Sequence, residues 1–308
     1  MSIANKNNLL TELFIDTVSK ASAFVFDKIA PALPVSARTF RYPVLTAGNL
    51  SRNTAVAVSA DGETLRSTYS TTNAAAYIDR EFRNQQLVSN ADGDEHPDGM
   101  DGAIRDASAV LARRVGLEAE IALNTVLGTI TANGAAVAAW GGALATPLVD
   151  IQAAVASVRA GSYGQLCNQI VMPYGAYQRF ILDQSVIDFV AGRGSISGAL
   201  KQTDVEAALS RMVGGPVQIV IPGALYDVSG TATSVYADTS GAAVVYALHQ
   251  ETERAGIRAV TQFSLRTAEG VFTGPDTEPA SRGTWVEGKL VRKPVLTFDG
   301  AGYRITGV

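Results

Sequence analysis

With 308 residues, 47% of them hydrophobic and 18% charged, the chain is long enough for one large domain or two smaller ones around a substantial core. Its formal net charge of −4 lacks the basic surplus that marks proteins held to nucleic acid through phosphates. A single cysteine, Cys167, excludes an intrachain disulfide framework, fits a reducing cytosol, and reads as a packed small residue ahead of an apolar run.

Residues 1–30 combine a polar tip with an amphipathic arm. Its apolar residues (Leu9, Leu10, Phe14, Ile15, Val18, then Phe24 to Phe26) are interrupted by Glu12, Asp16, Lys20 and Asp27, which is wrong for a secretory segment. No apolar run approaches the ~20 residues needed to span a bilayer. Pro31, Pro34 and Pro43 favour extended backbone over 30–43. From Phe40 to about Asp79 the pattern is that of strands. Asp61-Gly62 between the β-prone runs 54–60 and 63–69 is a strong hairpin signal. Legs running from Leu50 to Ala74 would each reach roughly 40 Å at strand rise. They are poor in large apolar residues, so they read as an arm that packs on a neighbouring chain, against the alternative of an edge hairpin folded on its own domain.

Residues 80–100 read as a polar, acidic turn before a helix over Asp101–Leu127. Ile104, Leu111, Val115, Ala122 and Val126 form one apolar stripe, and Val110, Leu117, Ile121 and Leu127 a second. Asp98 or Asp101 is placed to cap the start and Gly128 to end it. At roughly 40 Å this rod is about twice the expected ~19 Å radius of gyration, which implies a flat molecule. After a Gly/Ala-rich connection over 129–146, helices are predicted at 147–159, 174–183, 185–191 and 203–212. Strands are predicted at 168–172, 217–221 and 242–249, with a β ribbon over 257–272 and closing strands at 285–292, 295–298 and 303–308. The order is α+β, with no sustained βαβ alternation and no repeat.

Three constellations were weighed for chemistry. A calcium loop framed from Asp94 has its glycine at Gly99 but Arg105 in place of the terminal Glu, and framed from Asp92 it has Pro97 at the glycine position. The run from Gly192 to Gly198 is one residue too long for a dinucleotide fingerprint, lacks a Lys-Ser/Thr pair, and has Ile196 where a nucleophile elbow needs serine. It reads as a loop. His96 and His249, the two histidines, carry no motif around them. No catalytic, cofactor or metal residue is assigned.

The order of pieces resembles the major capsid proteins of tailed bacteriophages, the Hong Kong 97-type fold. Arg52 to Asp79 matches the extended loop, Asp101 to Leu127 the spine helix, Ile170 to Phe180 the strand-into-helix entry to the axial domain, and Trp285 to Val308 the returning strands. The resemblance covers nearly the whole chain and rests on architecture rather than a short motif. It implies an N-terminal arm (1–39), an extended loop (40–79), a peripheral domain (80–160 and 284–298) and an axial α/β domain (161–283 and 299–308). It further implies pentamers and hexamers in an icosahedral shell around double-stranded DNA, assembled in the host cytoplasm and resident in the virion. Portal, scaffolding and decoration proteins would be partners, DNA would be held without sequence-specific contacts, and neither membrane nor cofactor would be involved. Arg52, Arg66, Tyr69, Arg80 and Arg83 are expected at inter-subunit contacts, where guanidinium groups suit bidentate pairing with carboxylates. A wall without a basic surplus would also leave packaged duplex free to move.

Some members of that family link an extended-loop lysine covalently to an asparagine of another subunit. Here no lysine lies between Lys28 and Lys201, so a non-covalent shell is expected. The sequence begins only a short arm before the loop, so scaffolding is expected from a separate protein or from none. Two other readings compete: an encapsulin-type nanocompartment enclosing protein cargo, and a soluble enzyme with a carboxylate-built site.

Overall fold

Buried residues at every fourth position, alanines among them, set the character of the central helix. In the computed structural model, which describes residues 5–20, 24–44, 72–78, 81–192, 200–251, 256–275 and 283–308, this helix spans Gly99–Leu127, 29 residues and roughly 43 Å. Its buried line runs through Ala103, Ala107, Leu111, Val115, Ala119, Leu123 and Leu127, flanked by Ala112, Gly116 and Glu120. A step of four overshoots one turn by about 40°, so the line winds around the rod and meets different partners along its length. The two stripes expected from sequence are displaced. Val110 is 40% exposed, and Ile104, Leu117, Ile121 and Val126 are only half-buried. Alanine takes the inner positions because neighbouring elements approach closely there.

The helix ends at Leu127 before Gly128 as expected and starts two residues earlier than expected, but the caps lack the anticipated bonds. The acidic segment ahead of the helix is itself helical over Asn90–Glu95, closed by a reciprocal cap between Ser89 and Asp92. Asp98 occupies the N-cap without a side-chain bond, and Gly99 turns the chain at φ 67°. Gly128 ends the helix in right-handed geometry (φ −61°, ψ −17°), so no left-handed glycine cap is present.

A four-stranded antiparallel sheet lies against this rod, in the order Asn5–Asn7, Gly270–Pro275, Gly283–Leu290, Phe82–Ser89. Alternation sends Val88, Val271, Val286 and Leu290 inward. There they join Leu10, Phe14 and Val18 of the arm helix Asn8–Lys20 in one core with the long helix. Gly288 is required by that docking, since a Cβ would stand 2.6 Å from Phe14 Cε2.

A second core surrounds Trp140, Ile151, Ile170, Phe180 and Leu209. Its five-stranded mixed sheet has the order Asn133–Ala135, Gly302–Thr306, Val244–Leu248, Gln169–Val171, Gln218–Val220. The helices Tyr174–Leu182, Gln184–Ala191 and Gln202–Val213 contribute to this core. So does Pro147–Gly161, through Ile151, Ala154 and Val158, although the sequence grouped 147–160 with the peripheral unit.

The ribbon expected over 257–272 is divided between two sheets. Val260–Ser264 pairs antiparallel with Arg292–Leu296 and parallel with Ala32–Pro34, whereas Gly270–Pro275 belongs to the four-stranded sheet. A 3-10 turn at Arg266–Ala268 and Gly270 at φ 142° redirect the chain between them. Thr39–Val44 pairs with Thr72–Tyr77, forming the stem of the expected long loop. The Asp61-Gly62 hairpin and the Gly194–Gly198 stretch lie outside the described residues. A second hairpin, Leu225–Val228 with Thr231–Ser234, was not expected. Its turn carries Ser229 and Gly230 at φ 54° and 86°, the positive pair that a tight hairpin turn uses.

Candidate assembly surface

The outer face of the four-stranded sheet follows from the same alternation that builds its inner face. Trp285 stands opposite Leu87, Glu287 opposite Gln85, and Lys289 opposite Arg83. Gln85 Nε2 donates to Glu287 Oε2 at 2.8 Å. The facing cations Arg83 and Lys289 would repel, and Glu81 offsets this by pairing with Lys289 Nζ at 2.8 Å and with Arg38. Burial lowers the Lys289 ammonium below its usual range, with Arg38 and Arg83 adding to that effect. Trp285 remains 40% exposed on this face.

Of the expected contact residues, Arg83 is the one placed here, exposed on an edge strand. Arg52, Arg66, Tyr69 and Arg80 lie outside the described residues. The loop stem that leads towards three of them is firmly seated. Phe40 and Tyr42 pack against Phe263 in tilted ring contacts with centroids 4.5 and 5.4 Å away, and Lys293 Nζ donates to the Tyr77 carbonyl at 2.9 Å.

The second core carries its own uncovered apolar surface. Leu182, 73% exposed, lines a cleft of about 970 Å³ whose wall includes Trp140, Gly141 and Arg179, and Leu144, 79% exposed, lies in the chain between the lining residues Ala143 and Ala145. Isolated apolar residues on a surface are ordinary, but large ones gathered beside a cleft point to association.

The residues weighed for chemistry serve the fold. His96 bridges two helices, with Nδ1 accepting from Asp98 N at 3.1 Å and Nε2 3.3 Å from Asp106. Buried His249 donates through Nδ1 to the Leu166 carbonyl at 2.6 Å. Cys167 is fully buried, and burial pushes its thiol up to about 11, so it is an inert packed residue.

Two buried polar groups escaped the sequence reading. Arg292 Nε donates to Glu269 Oε1 at 2.9 Å and its Nη1 to Asp27 Oδ1 at 2.6 Å, with the guanidinium 5.4 Å over the Phe26 ring. Glu120, on the long helix, has no exposed surface. Its Oε2 accepts from the Val25 and Phe26 amides at 3.0 and 2.9 Å, and its Oε1 from the Tyr236 hydroxyl at 2.7 Å. Among the described residues no Lys, Arg or His forms an ion pair with it. Burial raises its carboxyl to about 7 against the pull of those three hydrogen bonds. A charged residue in the middle of a helix normally faces water, so no local signal set Glu120 apart.

No family model matches the sequence, and no curated protein matches it. Solved structures do. A phage-related protein from Bordetella bronchiseptica superposes with a TM-score of 0.67 at 14% identity, over 99% of this chain and 97% of that one. The capsid of an empty GTA particle gives 0.58 at 15% identity, over 94% and 91%. The capsid of cyanophage P-SCSP1u gives 0.55 at 12%, over 93% and 88%. The chain has the phage capsid fold. In the terms of that fold, Gly99–Leu127 is the spine helix, and Thr39–Val44 with Thr72–Tyr77 is the stem of the extended loop. The five-stranded sheet and the helices packed on it form a second body of that fold, on which Leu182 is exposed.

Proposed function

We propose that this chain is a major capsid protein whose copies associate as pentamers and hexamers into an icosahedral shell enclosing double-stranded DNA. The observation that carries this reading is the likeness to a phage-related protein over 99% of the chain, with phage and GTA capsids matching over 93–94% of it. The exposed leucines of the axial unit and the seated stem of the loop support it, since both suit a subunit completed by its neighbours. The role is structural rather than catalytic. The shell resides in the virion and is assembled in the host cytoplasm, with portal, scaffolding and decoration proteins as further partners.

Within the subunit we assign 1–39 to the arm, 40–79 to the extended loop, and the remainder to peripheral and axial units. The second core favours moving the boundary so that Pro147–Gly161 joins the axial unit. Arg52, Arg66, Tyr69, Arg80 and Arg83 are proposed to meet neighbouring subunits, and Arg83 is suited to this by its exposed position on an edge strand, opposite Lys289. Electron microscopy of the purified protein tests the reading. Closed icosahedral particles are expected, and a monomer that never associates would overturn it. Nucleic acid recovered from particles supports a DNA container, whereas a protein cargo would replace that part of the proposal with an encapsulin-type compartment.

A further inference from the structure

We propose that Glu120 is a proton-linked latch for the N-terminal arm junction, holding Val25–Phe26 on the spine helix when neutral and loosening it when charged. One carboxyl joins three segments distant in sequence: the spine helix, the start of the turn Phe26–Ile29, and the strand exit at Tyr236. All four residues are buried, and the ionised form is left in the core with hydrogen bonds but, among the described residues, no counter-charge.

The neutral form fits the same geometry. Oε2 continues to accept from the two amides, while a protonated Oε1 donates to the Tyr236 oxygen, whose own O–H turns away. The ionised form gains by opening, because lifting Val25 and Phe26 admits water to the carboxylate. Burial sets the closed carboxyl near 7 against an ordinary 4.5, so opening becomes easier as pH rises through that window and levels off above it.

Other ionisable groups around the junction are accounted for. Asp27, on the same turn, is paired with Arg292, and Lys28 beside it is exposed. Tyr236 and Tyr246 are held above the usual phenol range, first by burial. Arg304 is the charged group near Tyr246. Asp27 is also raised, by burial first, and its contribution is separated by substituting Glu120 alone.

The test is hydrogen exchange of the Val25 and Phe26 amides in the full-length, unassembled chain between pH 5 and 8, corrected for intrinsic exchange. The opening constant is expected to rise on the order of 50-fold in the wild type. It should stay flat in Glu120→Gln, which keeps the acceptor for both amides and donates to Tyr236. Tyr236→Phe removes a bond that favours the charge, so its rise should be shifted to higher pH. A flat wild-type profile, an undiminished rise in Glu120→Gln, or a downward shift in Tyr236→Phe would each overturn the latch. The measurement concerns a single chain, so its outcome is independent of whether the protein forms shells.

Discussion

Arg292 holds Glu269 in a sealed pair: Nε donates to Oε1 at 2.9 Å, and the two side chains are 6% and 1% exposed. The same Glu269 oxygen accepts from Ser264 Oγ and the Val291 amide, while Arg292 reaches on to Asp27. Replacing Arg292 with Met therefore strands a buried carboxylate, which costs about 3–5 kcal/mol. Replacing both Arg292 with Met and Glu269 with Leu should cost less than the single change, because Asp27 loses its partner in both variants but the sealed Glu269 carboxylate is stranded only in the single one. Denaturant unfolding of the three proteins checks the order, and a double variant weaker than Arg292→Met would refute it.

Overall stability should carry the mark of Glu120 as well. Its folded value near 7 lies above the ordinary 4.5, so the folded chain binds the extra proton between those values and stability falls as pH rises through them. The difference between wild type and Glu120→Gln should change by at most roughly 3 kcal/mol across that window. Asp27, also raised, contributes with the same sign in both proteins and cancels. Thermal melts at pH 4.5, 6 and 7.5 would show the two curves diverging towards neutrality; parallel curves would contradict the assignment.

Gly116 sits in the spine helix under the Phe24 ring, where a Cβ would come within 2.7 Å of Cε2. Alanine gains about 1 kcal/mol in helix propensity over glycine. Overpacking a buried ring costs about 1–3 kcal/mol. The clash should win, so Gly116→Ala is expected to lower the melting temperature. A stabilised variant would mean that Phe24 has room to withdraw.

If the arginine contacts hold subunits together, reversing Arg66, Arg80 and Arg83 to Glu should abolish shell assembly and leave the circular-dichroism spectrum of the dissociated subunit unchanged. Full assembly by this triple variant would remove the idea.

Denaturing gels of mature particles should show a single band. The extended loop lacks a lysine to act as nucleophile, since none lies between Lys28 and Lys201. A ladder of linked subunits would contradict a non-covalent shell.

What the sequence disclosed was mostly what periodicity encodes. The spine helix, the short helices from Pro147 onwards and the closing strands lie within a few residues of their expected bounds. Pattern reading failed where small residues do the packing, because Ala103, Ala107 and Ala119 carry little hydrophobic signal yet take the inner line while Val110 faces out. It failed again where a strand changes sheets, as at Gly270, since a run of β-prone residues does not say which sheet it joins. Glu120 and Arg292 were hidden for a different reason. Their partners are 23 to 265 residues away, and such pairings leave no local trace.

The arm has a consequence for how the chain is made. Thr11 receives a hydrogen bond from the Val271 amide, Asn5–Asn7 pairs with Val271–Thr273, and Phe14 fills the space at Gly288. Residues 5–14 thus have their seat in a segment made more than 250 residues later, and Leu10, Phe14 and Val18 lack that cover until residues 271–288 have been synthesised. A prematurely terminated fragment ends with a sticky, unhoused arm, whereas a finished one tucks it away.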